Sequence, residues 1–95
     1  MLALLVTMRV QDGKGADFER VFHGLIAKVR ANEPNTVYYD VAKSRTEANT
    51  YKVIEIYKDQ AAFDHHASTD YFKAAFPELS GCLAGRPEME MLDGI

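Results

Sequence analysis

The run Thr50-Tyr-Lys-Val-Ile-Glu-Ile-Tyr57 reads as a strand that is apolar or aromatic on both faces, and this constrains the fold more than any other feature. Successive strand residues point to opposite sides. Tyr51, Val53, Glu55 and Tyr57 therefore share one face, and Ile54 and Ile56 the other. A sheet covered by helices on one side only shows polar residues on its free side. Residues 2–10, which begin Leu2-Ala-Leu-Leu-Val6, are likewise apolar on both sides. The face away from the helices must then pack against something, most economically the same sheet of a second subunit. A homodimer through the sheet face is the expectation.

The rest of the chain supplies the partners of that strand. Residues 2–10 end at the turn cluster Gln11-Asp-Gly-Lys-Gly15. Phe18, Val21, Phe22, Leu25, Ile26 and Val29 then recur at helical spacing as one apolar stripe. Glu33-Pro34-Asn35 ends this helix, because a residue before proline is pushed out of the α region. Val37 to Ala42 reads as a strand, joined to 50–57 by the polar link Lys43 to Asn49. Asp59 suits the N-cap of a short helix through His66, and Ser68 or Thr69 that of the next. Pro77 predicts a kink or a new turn in that second helix. Arg86 to Leu92 alternates at period two and reads as the last strand. The order is β-α-β-β-α-β with the second helix split, which predicts a ferredoxin-like α+β domain with an antiparallel sheet.

A chain of 95 residues with 47% hydrophobic content has room for one core, so residues 1–95 are read as a single domain. The net charge of −3 and the scattered basic residues leave no stripe for nucleic acid. The lone Cys82 has no partner for an internal disulfide, and no zinc-ligand spacing occurs. No run approaches a membrane span, and Leu2 to Val6 lacks the basic leader of a signal peptide. A soluble cytoplasmic protein with no bound metal is expected.

Several of these positions coincide with a known family. Glu33-Pro-Asn35, Glu55-x-Tyr57 and Phe63-x-x-His66-x-x-x-x-x-Phe72-Lys73 resemble the antibiotic biosynthesis monooxygenase (ABM) domain. That resemblance implies a dimeric α+β barrel. It also implies cofactor-independent oxygenation of a quinol-like or enolisable compound, whose anion supplies the electrons to oxygen. The same fold hosts haem degraders and an isomerase of a phosphorylated quorum-sensing signal. Phe76 stands where the haem-ligating histidine of the degraders would fall, and the chain has no Trp, which speaks against haem. Tyr57-Lys-Asp59, Tyr39-Asp-Val41 and Leu92-Asp-Gly94 look closer to the isomerase branch. Leu25 and Tyr71 stand near the places where that branch tends to carry histidines, which speaks against its specific activity.

On this resemblance His66 is the first candidate, an imidazole able to take a proton from an enol or phenol near neutral pH. Read structurally, it caps its helix. Glu55 is either a base or an orienter of His66, or a structural ion pair at the dimer interface. Tyr57 and Tyr39 would polarise a substrate oxygen, and Tyr51, Phe63 and Phe72 would help line the binding site. Adjacent residues on a helix diverge by ~100°, so His65 falls outside and makes no chelating pair with His66. The chain thus reads as a small ABM-type monooxygenase without a cofactor. The rival readings are an isomerase of a small hydroxyketone or sugar-like phosphate, and a non-catalytic binding dimer. A pocket filled by Phe22, Phe63, Phe72 and Phe76 would favour the last.

Overall fold

A computed structural model describes all 95 residues and shows a four-stranded antiparallel sheet with three helices. The chain runs β1 (Leu2–Arg9), α1 (Gly15–Asn32), β2 (Thr36–Lys43), β3 (Thr50–Tyr57), α2 (Gln60–Ser68), α3 (Asp70–Cys82) and β4 (Glu88–Asp93). The strand order is β2-β3-β1-β4. β1 lies between two partners, with Leu2 opposite both Tyr57 and Asp93. The expected ferredoxin-like α+β architecture is present, with the second helix split in two.

Local chemistry sets each boundary. Gly13 takes φ 82° in the turn before α1, a left-handed conformation that glycine adopts without steric cost. Glu33 forms the C-cap of α1, and its N–H reaches the Val29 carbonyl at 2.9 Å. Asp59 caps α2 by accepting from the Ala62 N–H at 2.9 Å. Thr69 does the same for α3 through Phe72. Pro77 lies inside α3, which continues to Cys82 instead of starting a new element. The last strand starts at Glu88, later than its alternation predicts. Proline cannot donate to a ladder, so Pro87 is left in the preceding turn.

The core lies between the helices and one face of the sheet. Phe18, Phe22, Leu25, Ile26 and Val29 of α1 are buried against Leu4, Val6, Val53 and Tyr57. On the opposite face Leu5, Ile54 and Ile56 are half-buried, while Tyr38 and Leu92 are exposed. Met89 and Met91 pair with Val6 and Leu4 and so point to the helix side. They are nevertheless 59% and 53% exposed. Alternation reveals the face of a strand but not whether a helix covers it, and here the space beside β4 is left open. No helix is long and apolar enough to cross a membrane.

Candidate active site

That open space is a cavity of about 320 Å³ between the sheet and the two short helices. Leu4, Val6, Tyr39 and Glu55 line its sheet side. Phe22 of α1, Phe63 and His66 of α2, and Phe72 and Phe76 of α3 form the helical wall. The phenylalanines line the cavity without filling it. Arg86 and Met89 complete the rim.

His66 is 2% exposed, although it sits near the end of a short helix. Tyr39, Phe72 and Tyr57 surround its ring, with centroids 4.9, 4.8 and 5.6 Å away. Its Nδ1 lies 3.1 Å from both carboxyl oxygens of Glu33. Glu33 is itself buried, and it also accepts from the Thr36 hydroxyl at 2.8 Å and from the Tyr71 hydroxyl. Three donors converging on two oxygens is the pattern an ionised carboxylate accepts. With Nδ1–H donating to Glu33, the neutral ring carries its lone pair on Nε2. Nε2 has no protein partner, and no fully sealed polar side-chain atom lacks one. Nε2 therefore keeps an accessible edge on the cavity that His66 lines. Burial lowers the His66 pKa from its ordinary value, and the hydrogen bond and charge of Glu33 oppose that shift. The result is a neutral base at neutral pH.

Glu55 enters the same cavity from β3 and is 8% exposed. The Tyr57 hydroxyl donates to its Oε1 at 2.6 Å. Burial raises the Glu55 pKa to about 7 despite that hydrogen bond, which acts in the opposite direction. Glu55 makes no hydrogen bond to His66; the carboxylate that contacts the imidazole is that of Glu33. Tyr57, fully buried, touches Glu55 and Phe63 rather than lining the cavity, so its action on a ligand would pass through Glu55. Burial, then the charge of Glu55, raises its pKa far above the ordinary phenol value.

Tyr39 stacks on Phe22 at 5.9 Å and 11°. Its hydroxyl has no protein partner and, like Nε2, keeps an accessible edge. Phe63 and Phe72 also line this cavity. Tyr51 does not. It shares a strand face with Glu55 but sits at the opposite end of β3, its ring tilted against Phe18 at 4.6 Å and its hydroxyl bonded to Glu19 at 2.5 Å. Period two identifies a face, not a position along it. His65 is exposed, as expected. No group of three or more His, Cys, Asp or Glu side chains is placed to hold a metal ion.

Sequence reasoning missed Glu33 and Arg86. Glu33 read as a helix-ending residue before Pro34, with nothing local to mark a carboxylate whose partner is 33 residues away. Arg86 reads in the sequence as the first residue of the last strand.

Residues 1–78 match the family described as antibiotic biosynthesis monooxygenase. The chain belongs to the antibiotic biosynthesis monooxygenase family. A crystal structure from Caulobacter crescentus, described as a candidate antibiotic biosynthesis monooxygenase, is 45% identical with a TM-score of 0.97. The match covers 99% of this chain and 89% of that one. YcnE of Bacillus subtilis, described as a candidate monooxygenase, is 32% identical over 77% of this chain and 76% of its own length. An uncharacterised Synechocystis protein, sll1783, is 30% identical over 84% of this chain. The match spans only 53% of that cyanobacterial protein. The ABM-type family thus accounts for the fold and for a monooxygenase-like small-molecule site.

Proposed function

We propose that this ABM-family protein is a cofactor-independent monooxygenase acting on a small enolisable or quinol-like compound. The observation that carries the reading is the Glu33–His66 pair, which presents an unpartnered Nε2 to an apolar cavity. Nε2 removes a proton from the enol or phenol, and the substrate anion supplies the electrons to dioxygen. The protein then has to bind, deprotonate and hold the anion. The Tyr39 hydroxyl is the free donor for the developing oxyanion, and the apolar wall keeps water from competing. Glu55, held by Tyr57, is a second group able to exchange a proton near neutrality. Oxygen uptake by the purified protein with hydroquinones and anthrone-like phenols tests the reading. Uptake that falls in His66→Ala supports it, and unchanged turnover in that variant overturns the mechanism.

One observation favours a second reading. Two acid–base groups, His66 and Glu55, face one cavity from opposite walls, the arrangement that proton transfer between neighbouring carbons of a hydroxyketone requires. Turnover that persists under strict anaerobiosis separates this isomerase from the oxygenase.

We further infer that the open sheet face, with Leu5, Ile54, Ile56 and Leu92, is covered by a second copy of the chain. Sedimentation equilibrium tests this, and a monomer at micromolar concentration overturns it. The free, buried thiol of Cys82 suits a reducing cytoplasm.

A further inference from the structure

Arg86 is the only lysine or arginine on the cavity wall, and it has no acidic partner. Only Arg9, Arg20 and Arg30 among the 11 Lys and Arg make an ion pair, so what sets Arg86 apart is its place on the cavity wall. Glu88, two positions away, is taken by Arg9 at 2.9 Å. Arg9 also lies 3.7 Å from Glu47, while Arg20 and Arg30 pair with Asp17 and Asp40.

The turn that carries Arg86 is braced on both sides. The Ala84 N–H donates to the Arg9 carbonyl at 2.8 Å, Leu83 bridges Val10, and the Gln11 side chain donates to the Leu83 carbonyl at 2.9 Å. On the other side Pro87 biases the Arg86 backbone towards extended conformations, and Glu88 begins the pairing with Thr7. The guanidinium is thus exposed on a fixed stem rather than a loose loop. Phe76 and Met89 line the same cavity yet remain 44% and 59% exposed, so the wall reaches solvent through apolar side chains.

We propose that Arg86 binds the carboxylate of the substrate, which is an aromatic or enolisable monocarboxylic acid with its apolar body in the cavity. The inference rests on the cavity being the substrate site, as proposed above. It lies outside residues 1–78, so the family match does not address it. A planar guanidinium fork matches a planar carboxylate with two parallel hydrogen bonds. A phosphate dianion would face one cation with Glu55 lining the same cavity and a net charge of −3 on the chain, so the monoanion is the better fit.

The test is isothermal titration of the full chain with 1-naphthoate, 1-naphthylmethanol and 1-naphthyl phosphate. Wild type, Arg86→Gln and Arg86→Lys are compared, with circular dichroism as the fold control. Naphthoate should bind about tenfold more tightly than the alcohol, a difference of about 1.4 kcal/mol. Arg86→Gln should abolish that preference and leave the alcohol unchanged, while Arg86→Lys restores part of it. A wild-type protein that binds acid and alcohol equally, or an Arg86→Gln variant that keeps the preference, overturns the assignment and leaves the cavity as substrate site intact. Phosphate binding more tightly than the carboxylate overturns the monocarboxylate class. If neither acid nor alcohol binds, the cavity itself is not the binding site, and the oxygenase reading falls together with this one.

Discussion

The carboxyl group of Glu33 holds Nδ1 of His66, with both oxygens at 3.1 Å. The two residues come from the C-cap of α1 and the last turn of α2, so the pair exists only when both helices are seated on the sheet. A base held this way gains a defined tautomer and ring orientation. Removing the imidazole in His66→Ala should lower kcat by about 10²- to 10⁴-fold, the usual contribution of a positioned general base. Steady-state oxygen uptake measures it.

Glu33→Gln keeps the size of the side chain but can offer an amide N–H to Nδ1, which stabilises the tautomer whose Nε2 carries the proton. We expect kcat to fall by at least about tenfold with KM little changed, because substrate binding does not use Glu33. Loss in KM alone would contradict the positioning role. The His66 ring should titrate lower in this variant, since the hydrogen bond and charge that raise its pKa are removed. Histidine NMR signals across pH 4–9 read that shift directly, independently of catalysis.

The activity of the wild type should rise with pH and level off once His66 is neutral. Its pKa is lowered by burial, so the midpoint on the free enzyme should lie below the reference value of about 6.5. For stability the signs of the two cavity groups are opposite. With its folded pKa depressed, His66 is protonated more readily in the unfolded chain, so its contribution is complete above about 6.5 and is lost as pH falls below that value. Glu55, with its pKa raised from 4.5 to about 7, binds its proton more tightly when folded. Its contribution is favourable below 4.5 and lost as pH rises towards about 7. Glu55→Gln should therefore gain stability relative to wild type between pH 5 and pH 8. Urea unfolding at those two pH values checks the sign, and no relative change would show that Glu55 is not protonated preferentially in the fold.

How much of this was legible depends on whether the signal was local. The caps at Asp59 and Thr69, the helix stop at Glu33-Pro34 and the shared face of Glu55 and Tyr57 each follow from residues within a turn or a strand of one another. The Glu33–His66 pair does not, because its partners are joined only through the packing of two helices against β2 and β3. Tyr51 was placed in the site because it shares a face with Glu55, whereas the start of α1 claims it through Phe18 and Glu19. The exposure of Met89 was hidden for a similar reason, since no sequence period shows where the helices stop covering the sheet.

Tyr71 offers a test of the carboxylate that does not touch the cavity directly. Its hydroxyl donates to Glu33, and the side chain is only half-buried. Tyr71→Phe removes one of the three donors while His66 and Thr36 keep theirs. The loss of one hydrogen bond should cost about 1–2 kcal/mol, measured by urea unfolding. With less competition for its oxygens, Glu33 should hold the His66 Nδ1–H more strongly and favour the charged ring. The His66 pKa should therefore rise in Tyr71→Phe and fall in Glu33→Gln. If both variants moved it in the same direction, Glu33 would not be the group through which Tyr71 acts on His66.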